Sequence, residues 1–303
     1  MINSVLALGA GTMGSQASFY YAMHGRDVIQ YDISDQSLVA CREHHRAYIE
    51  PFRAAFPTFT DEDIERGLAR IRYSSDLAFA ARDADFVTES VPESLEIKQQ
   101  VYAELDKHCP EHTIFATNTS TLPPSAFAEC TGRPGRFLAV HYAMGIWNAP
   151  IAEVMKHPGT DQAVFEEVVE FVQASKLVPI KIEVEQPGYI INTLLVPWLF
   201  AGLSLVVNGV SSYRDVDRTW MICSRGMPLG PIGVLDQVGF EVSRNIHRLM
   251  AQAEPDNPQY QRNIDYLEEH FISKGHTGAL SGQGFYSYPD PEYLQPGFLK
   301  NID

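Results

Sequence analysis

Residues 4–14, "SVLALGAGTMG", decide the fold. An apolar run of strand length ends in the pattern Gly9-x-Gly11-x-x-Gly14, and a helical pattern follows through His24. In such a strand–turn–helix unit the first glycine allows the tight turn and the second lets the backbone approach a pyrophosphate. The third lets helix pack on strand, while N–H groups of the helix face the phosphates. Alone the pattern is weak, but its surroundings strengthen it. "DVIQYDI" (27–33) is a second strand that ends at Asp32, eighteen positions after Gly14, where an acid accepts ribose hydroxyls. No arginine stands nearby to take a 2′-phosphate, so the unit points to NAD rather than NADP.

Further along, strands and helices alternate. Ser34 caps a helix that runs from Asp35 through "LVACREHHRAYIEPFR", on which His44 and His45 are expected to face solvent. Thr60 and Asp63 are spaced as a capping box. "DADFVTESV" (83–91), "TIFATNT" (113–119) and "RFLAVHYA" (136–143) read as strands, with a helix over "PESLEIKQQVYAELDKH" (92–108). This alternation indicates parallel βαβ units. After "KLVPIKIEV" (176–184) the pattern becomes helical, over 189–208, 212–224, 230–252 and 258–273, and "SGQGFYSY" (281–288) reads as a turn plus strand. The expected architecture is an α/β Rossmann-type NAD-binding domain, 1–187, and an all-α C-terminal domain, 188–303, hinged at Pro187-Gly188.

Composition supports this organisation. The chain has 303 residues, enough for two domains, with 45% apolar and 20% charged residues. Its 23 Lys+Arg against 38 Asp+Glu give a formal charge of −15, which disfavours nucleic acid and anionic membranes as partners. Cys41, Cys109, Cys130 and Cys223 are scattered, without metal-ligand spacing, so no disulfide framework and no metal site are expected. Met1 leads straight into the first strand without a basic signal region, and a cytoplasmic setting is expected. "YIINTLLVPWLFAGLSLVV" (189–207) is interrupted by Asn192, Thr193, Pro197 and Ser204, so it reads as a buried helix between domains or subunits rather than a membrane span.

Ligands bind outside the carboxyl ends of parallel strands. There the chain offers "SVPESLEIK" (90–98), "ATNTSTLP" (116–123) and "VHYAMGIWNAPIAEV" (140–154). An imidazole at His141 suits proton transfer near neutral pH, and an acid such as Glu153 would fix its tautomer and stabilise the imidazolium. Ser120 and Glu93 could equally be a helix cap and a first-turn acid.

Across nearly its whole length the chain resembles the 3-hydroxyacyl-CoA dehydrogenase family. The matching pieces are "GAGTMG", "VPESLEIKQQVYAELD", "TIFATNTSTLP", "GRPGRFLAVHY", "PGYIINTLLVPWLFAG", "DVDRTWMICSRGMPLGPIGVLDQVG" and "GQGFYSY". The resemblance implies NAD-dependent interconversion of an L-3-hydroxyacyl substrate and its 3-oxo form, and a place in fatty-acid metabolism. It implies His141 as general base, Glu153 as its supporting acid, and Ser120 and Asn192 as holders of the substrate oxygens. Glu93 and Lys98 fall where the family meets the nicotinamide ribose, and Thr12, Met13 and Asn118 join the glycines and Asp32 as cofactor contacts. A homodimer through the C-terminal helical domain, along the 189–207 helix, is expected.

The chain departs from the family in two places. Common members read His-Phe-Phe-Asn-Pro where this chain reads "HYAMG" (141–145), so Met144 and Gly145 replace Asn-Pro. A smaller branch that includes a diketoreductase reads His-Phe-Ala-Asn-His followed by tryptophan, and Trp147 with "AEVM" resembles it. Met144 either offers an adaptable apolar surface to a different substrate or fills a gap in the core. Second, members that bind coenzyme A use lysines around the arm between the second and third strands, and this chain has no lysine before Lys98. Arg46, Arg53, Arg66, Arg70 and Arg72 are either substitutes or a solvated face. The first reading is an L-3-hydroxyacyl substrate, with the coenzyme A thioester, a carrier-protein thioester and a free acid all open. The alternatives are the same chemistry on a non-CoA substrate of the diketoreductase, carnitine or gulonate type, and a silent crystallin-like protein. The last is expected to lack the dyad, and His141, Glu153, Ser120 and Asn192 are all present.

Overall fold

Strand Ser4–Leu8 (β1) pairs in parallel with Asp27–Tyr31 (β2) on one side and Phe86–Glu89 (β4) on the other, which makes β1 the centre of the sheet. The computed structural model describes residues 2–224, 227–295 and 297–299. Ile71–Ser74 (β3) extends the sheet beyond β2, while Ile114–Thr117 (β5) and Phe137–Tyr142 (β6) extend it beyond β4, all in parallel. Ile151–Met155 (β7) then runs antiparallel to β6, and Val178–Ile182 (β8) follows parallel to β7. The order is β3-β2-β1-β4-β5-β6-β7-β8, with the chain reversing its direction of growth between β1 and β4. Such a switch point leaves a crevice at the carboxyl ends of the strands.

Helices cover the sheet because its strands are apolar on both faces. Thr12–Met23 (α1) is buried from Gly14 to Met23 and packs against β1, β2, Asp35–Ala55 (α2) and Asp61–Ala69 (α3). The expected caps are present: Ser34 accepts from Ser37 N, and Thr60 with Asp63 forms the capping box. Leu77–Ala81 (α4), Leu95–Leu105 (α5) and Gln162–Ala174 (α6) complete the layers. Strands β3 and β7 escape a reading by apolar runs. The connection 143–150 is too short for a parallel crossover, which takes a dozen or more residues, so β7 has to turn back beside β6.

The chain divides into two compact units, the first ending at Thr193 and the second beginning at Leu194. The helical part consists of Ile191–Val207 (α7), Tyr213–Cys223 (α8), Pro231–Val238 (α9), Phe240–Ala253 (α10) and Pro258–His270 (α11). The single helix expected over 230–252 is two, because Gly239 adopts φ +88, a left-handed conformation that ends α9. Trp198 is half-buried and Trp220 is 41% exposed, with ring centroids 5.3 Å apart.

The expected strand in "SGQGFYSY" is absent among the described residues, where isolated bridges stand instead. Its backbone donors have another acceptor. Phe285 N and Tyr286 N donate to the buried Asp236 carboxylate at 3.0 and 2.9 Å, and the Tyr288 hydroxyl adds a third bond. Asp217 likewise accepts from Ile232 N, Gly233 N and the Tyr286 hydroxyl. Burial pushes both carboxyls up to about 6. Among the described residues no helix is long and apolar enough to cross a membrane.

His45 corrects the solvated-pair expectation: it is 1% exposed, while His44 is exposed. Neighbouring helical residues point about 100° apart, and His45 continues the inward stripe of Leu38, Cys41 and Phe52. Its Nδ1 lies 2.7 Å from the Tyr73 hydroxyl, and Nε2 3.0 Å from the Ser18 hydroxyl and from the Ser15 carbonyl. Burial lowers its pKa from 6.5 to about 4. The unfolded chain therefore takes up the proton first as pH falls. Stability present above pH 6.5 is expected to drop by about 3 kcal/mol between 6.5 and 4 through this group alone. Urea unfolding across that range is expected to show a shallower pH slope in His45→Gln than in the wild type. Equal slopes would assign the loss elsewhere.

Candidate active site

The strand ends at the switch point form a cleft of about 870 Å³ lined by Gly9, Ala10, Gly11, Asp32, Val91 and Ile97, among others. A Cβ on Gly14 would stand 1.9 Å from the Gly9 carbonyl oxygen, so only glycine lets α1 start this close to β1. A Cβ on Gly11 would meet nothing within 4 Å, which leaves open space where a phosphate needs it. Thr12, which is exposed, opens α1, and the half-buried Met13 packs against the core. Asp32 follows β2, and its carboxylate accepts from Ala10 N at 2.8 Å and Ser34 N at 2.9 Å. Each oxygen keeps a lone pair for a ribose hydroxyl. These residues fit NAD.

Two strands along, His141 and Glu153 are direct partners in the β6–β7 register. Facing residues of an antiparallel pair have Cβ atoms about 5 Å apart. His141 Nδ1 lies 2.8 Å from Glu153 Oε2, with both side chains buried. The other oxygen, Oε1, accepts from Ile190 N and Ile191 N, each at 2.8 Å, at the first turn of α7. One carboxylate thus caps a helix and orients an imidazole. Three donors make its burial tolerable, and the N-terminal dipole favours its charge. With Nδ1–H donated to the carboxylate, Nε2 carries the lone pair.

Ser120 is exposed just beyond β5, in a loop organised by Glu93. Glu93 Oε1 accepts from the Thr119 hydroxyl, from Ser120 N and Thr121 N at 3.2 Å each, and from the Thr121 hydroxyl at 2.9 Å. Burial pushes the Glu93 carboxyl up, but the hydroxyl bonds and the Lys98 charge outweigh it and hold the group below its ordinary value. Lys98 is only 1% exposed, with Nζ 2.7 Å from Glu89 Oε1 and 3.3 Å from Glu93 Oε2. So deep a lysine does not support the ribose contact expected of it; its geometry is that of a brace for two acids. Glu89 also receives Val91 N and the Thr117 and Tyr102 hydroxyls. Asn118, expected at the cofactor, donates to the Ser90 hydroxyl and accepts from Tyr142 N, joining three strand ends. Asn192 is half-buried on the first turn of α7, its N–H held by the Gly188 carbonyl.

Met144 is 64% exposed, which removes the gap-filling alternative. It is presented by a loop pinned just beyond it: Gly145 N donates to Gln16 Oε1, and Trp147 packs against Tyr48 at 4.9 Å between centroids. On the arm between β2 and β3, Arg46, Arg53, Arg66 and Arg70 pair with Glu43, Asp61, Asp63 and Asp27. Arg72 lies 6.0 Å over the Phe79 ring.

Sequence reasoning passed over Glu89 and Tyr189. Glu89 had a signal, an acid at the carboxyl end of the strand "FVTE" (86–89); Tyr189 had none. Removing the Glu93 carboxylate frees several donors of the Ser120 loop at once. Glu93→Ala is expected to fold, bind NADH and lose on the order of 100-fold in kcat. Wild-type kcat in steady-state assays would show that the loop is held without it.

Residues 4–185 match the family described as 3-hydroxyacyl-CoA dehydrogenase, NAD binding domain, and residues 188–288 match its C-terminal domain. The chain is 32% identical over 294 residues to the mitochondrial hydroxyacyl-coenzyme A dehydrogenase of Mus musculus, covering 95% of this chain and 92% of that one. A solved diketoreductase, described for substrate-directed dual catalysis of dicarbonyl compounds, is 40% identical with a TM-score of 0.86, over 95% of this chain and 99% of that one. FadB2 of M. tuberculosis is 26% identical with a TM-score of 0.83, over 95% and 99%. With its NAD cleft, the chain belongs to the 3-hydroxyacyl-CoA dehydrogenase family of NAD-dependent oxidoreductases acting on CH–OH groups.

Proposed function

We propose that the chain interconverts a 3-hydroxy substrate and its 3-oxo form with His141 as general base and acid. The observation that carries this reading is the buried His141–Glu153 bond, with Glu153 itself anchored by two backbone N–H groups. NAD held in the cleft supplies the hydride acceptor in one direction and, reduced, the donor in the other. In oxidation His141 Nε2 takes the proton of the 3-hydroxyl, and Glu153 stabilises the imidazolium as it forms. Ser120 and Asn192 hold the substrate oxygens and so keep the carbinol carbon in place. Reduction returns the proton from His141. The gap between the two family matches supports a boundary at Pro187-Gly188, with the NAD-binding domain before it and a substrate and dimerisation domain after it, while the compact units part after Thr193 because Glu153 ties Ile190 and Ile191 to the sheet.

We further propose that the substrate is a small dicarbonyl or 3-oxo acid rather than a coenzyme A thioester. The arm arginines most suited to hold phosphates are paired with carboxylates, and the diketoreductase with 40% identity acts on dicarbonyl compounds. The exposed apolar side chains Leu194, Leu205, Val210 and Ile222 favour a homodimer through the helical domain. The four cysteines are free, in keeping with a cytoplasmic setting.

NADH oxidation with a free β-diketo ester is expected to exceed that with acetoacetyl-CoA in kcat/KM; the reverse ranking restores the acyl-CoA reading. His141→Ala is expected to keep NADH affinity and lose at least about 100-fold in kcat, and an active variant refutes the dyad. Light scattering at micromolar concentration is expected to give a dimer mass, and a monomer mass removes that proposal.

A further inference from the structure

We propose that Tyr189 is a positioning residue for His141, holding the plane of the imidazole by ring stacking from a left-handed turn. The inference rests on the reading of His141 as the base. A hydrogen bond at Nδ1 alone leaves the ring free to tilt about the bond axis, and a tilt at Nε2 moves the atom that meets the substrate proton. The Tyr189 ring removes that freedom: its centroid is 4.5 Å from that of His141, with the planes at 22°. An offset stack of this kind is favourable, and an aromatic face also stabilises the imidazolium that proton transfer produces.

The backbone that delivers the ring is unusual. Tyr189 has φ +54, directly after Gly188 at φ +82. A bulky residue rarely adopts this region, and such strain persists only where the surroundings over-determine it. Here they do. Glu153 takes Ile190 N and Ile191 N, the Gly188 carbonyl takes Asn192 N and Thr193 N, and the Tyr189 carbonyl takes the Thr193 hydroxyl. The carboxylate that anchors Nδ1 therefore also fixes the turn that lays the ring on the imidazole. The Tyr189 side chain is 1% exposed and packs with Ala139, Met155 and Ile182. Its hydroxyl has no hydrogen-bond partner among the described residues, so the ring face, not the hydroxyl, is the acting part.

The test compares Tyr189→Phe and Tyr189→Leu in the full-length protein, with kcat counted per NADH-binding site and NADH affinity read by fluorescence titration. Tyr189→Phe keeps the stacked face and is expected to hold kcat within about twofold. Tyr189→Leu is expected to lose about tenfold in kcat with substrate KM and NADH affinity unchanged. A purely structural role would instead lower the fraction of NADH-binding sites and leave kcat per site intact, and that result overturns the proposal. If Tyr189→Leu does not fold, Tyr189→Met removes the ring in its place under the same readouts, and a tenfold fall in the kcat of Tyr189→Phe would make the hydroxyl the acting group and overturn the proposal. His141→Ala measured alongside separates the two readings. If it is active the base assignment fails; if it is inactive while Tyr189→Leu turns over normally, only the positioning role fails.

Discussion

The carboxylate of Glu153 is held at near-complete burial by an imidazole on one oxygen and two successive backbone N–H groups on the other. An ionised acid in that position is affordable only because every one of its partners donates. Its three bonds join parts of the chain that have little else in common: the last parallel strand, the antiparallel strand beside it, and the first turn of a long helix. Loss of any one leaves the others misdirected. The imidazole would lose its tautomer, the helix its cap, and the left-handed turn at Gly188–Tyr189 its reason to persist.

A second buried network works beside it by the same logic. Lys98 stands between Glu89 and Glu93, and Glu93 in turn gathers the hydroxyls and N–H groups around Ser120. A lysine this deep is stable because two acids share its charge, and each acid is satisfied by further donors. The result is a loop with little freedom, at the strand end where we propose that substrate oxygens are held. Rigid support of this sort is what lets a few side chains set a reaction geometry. The exposed Met144 stands apart from this network, on a loop that Gly145 and Trp147 tie to Gln16 and Tyr48 just beyond it.

Much of this is legible in the sequence. The glycine pattern with Asp32, the strand–helix alternation and the helix caps at Ser34 and Thr60 are local in sequence, so local chemistry reveals them. His45 was misread because the helix that carries it is largely polar, although the stripe from Leu38 through Cys41 to Phe52 already pointed inward. Gly239 hid a helix break, since one glycine within an apolar periodicity does not announce its φ. "GQGFYSY" looked like a strand because nothing in it tells that its N–H groups go to Asp236, nearly fifty residues earlier.

By itself the sequence determined the α/β fold, the nucleotide fingerprint and the residue types available for proton transfer, because each rests on periodicity or on a motif within a short span. Only the tertiary structure decided where those residues stand and what they touch. The antiparallel turn of β7 placed Glu153 opposite His141, the burial of Lys98 made it a brace, and positive φ at Tyr189 laid an aromatic ring on the imidazole. These depend on hydrogen bonds between segments far apart in the chain and on backbone angles that residue identity does not reveal. A sequence read segment by segment names the groups; the packing of the segments aims them.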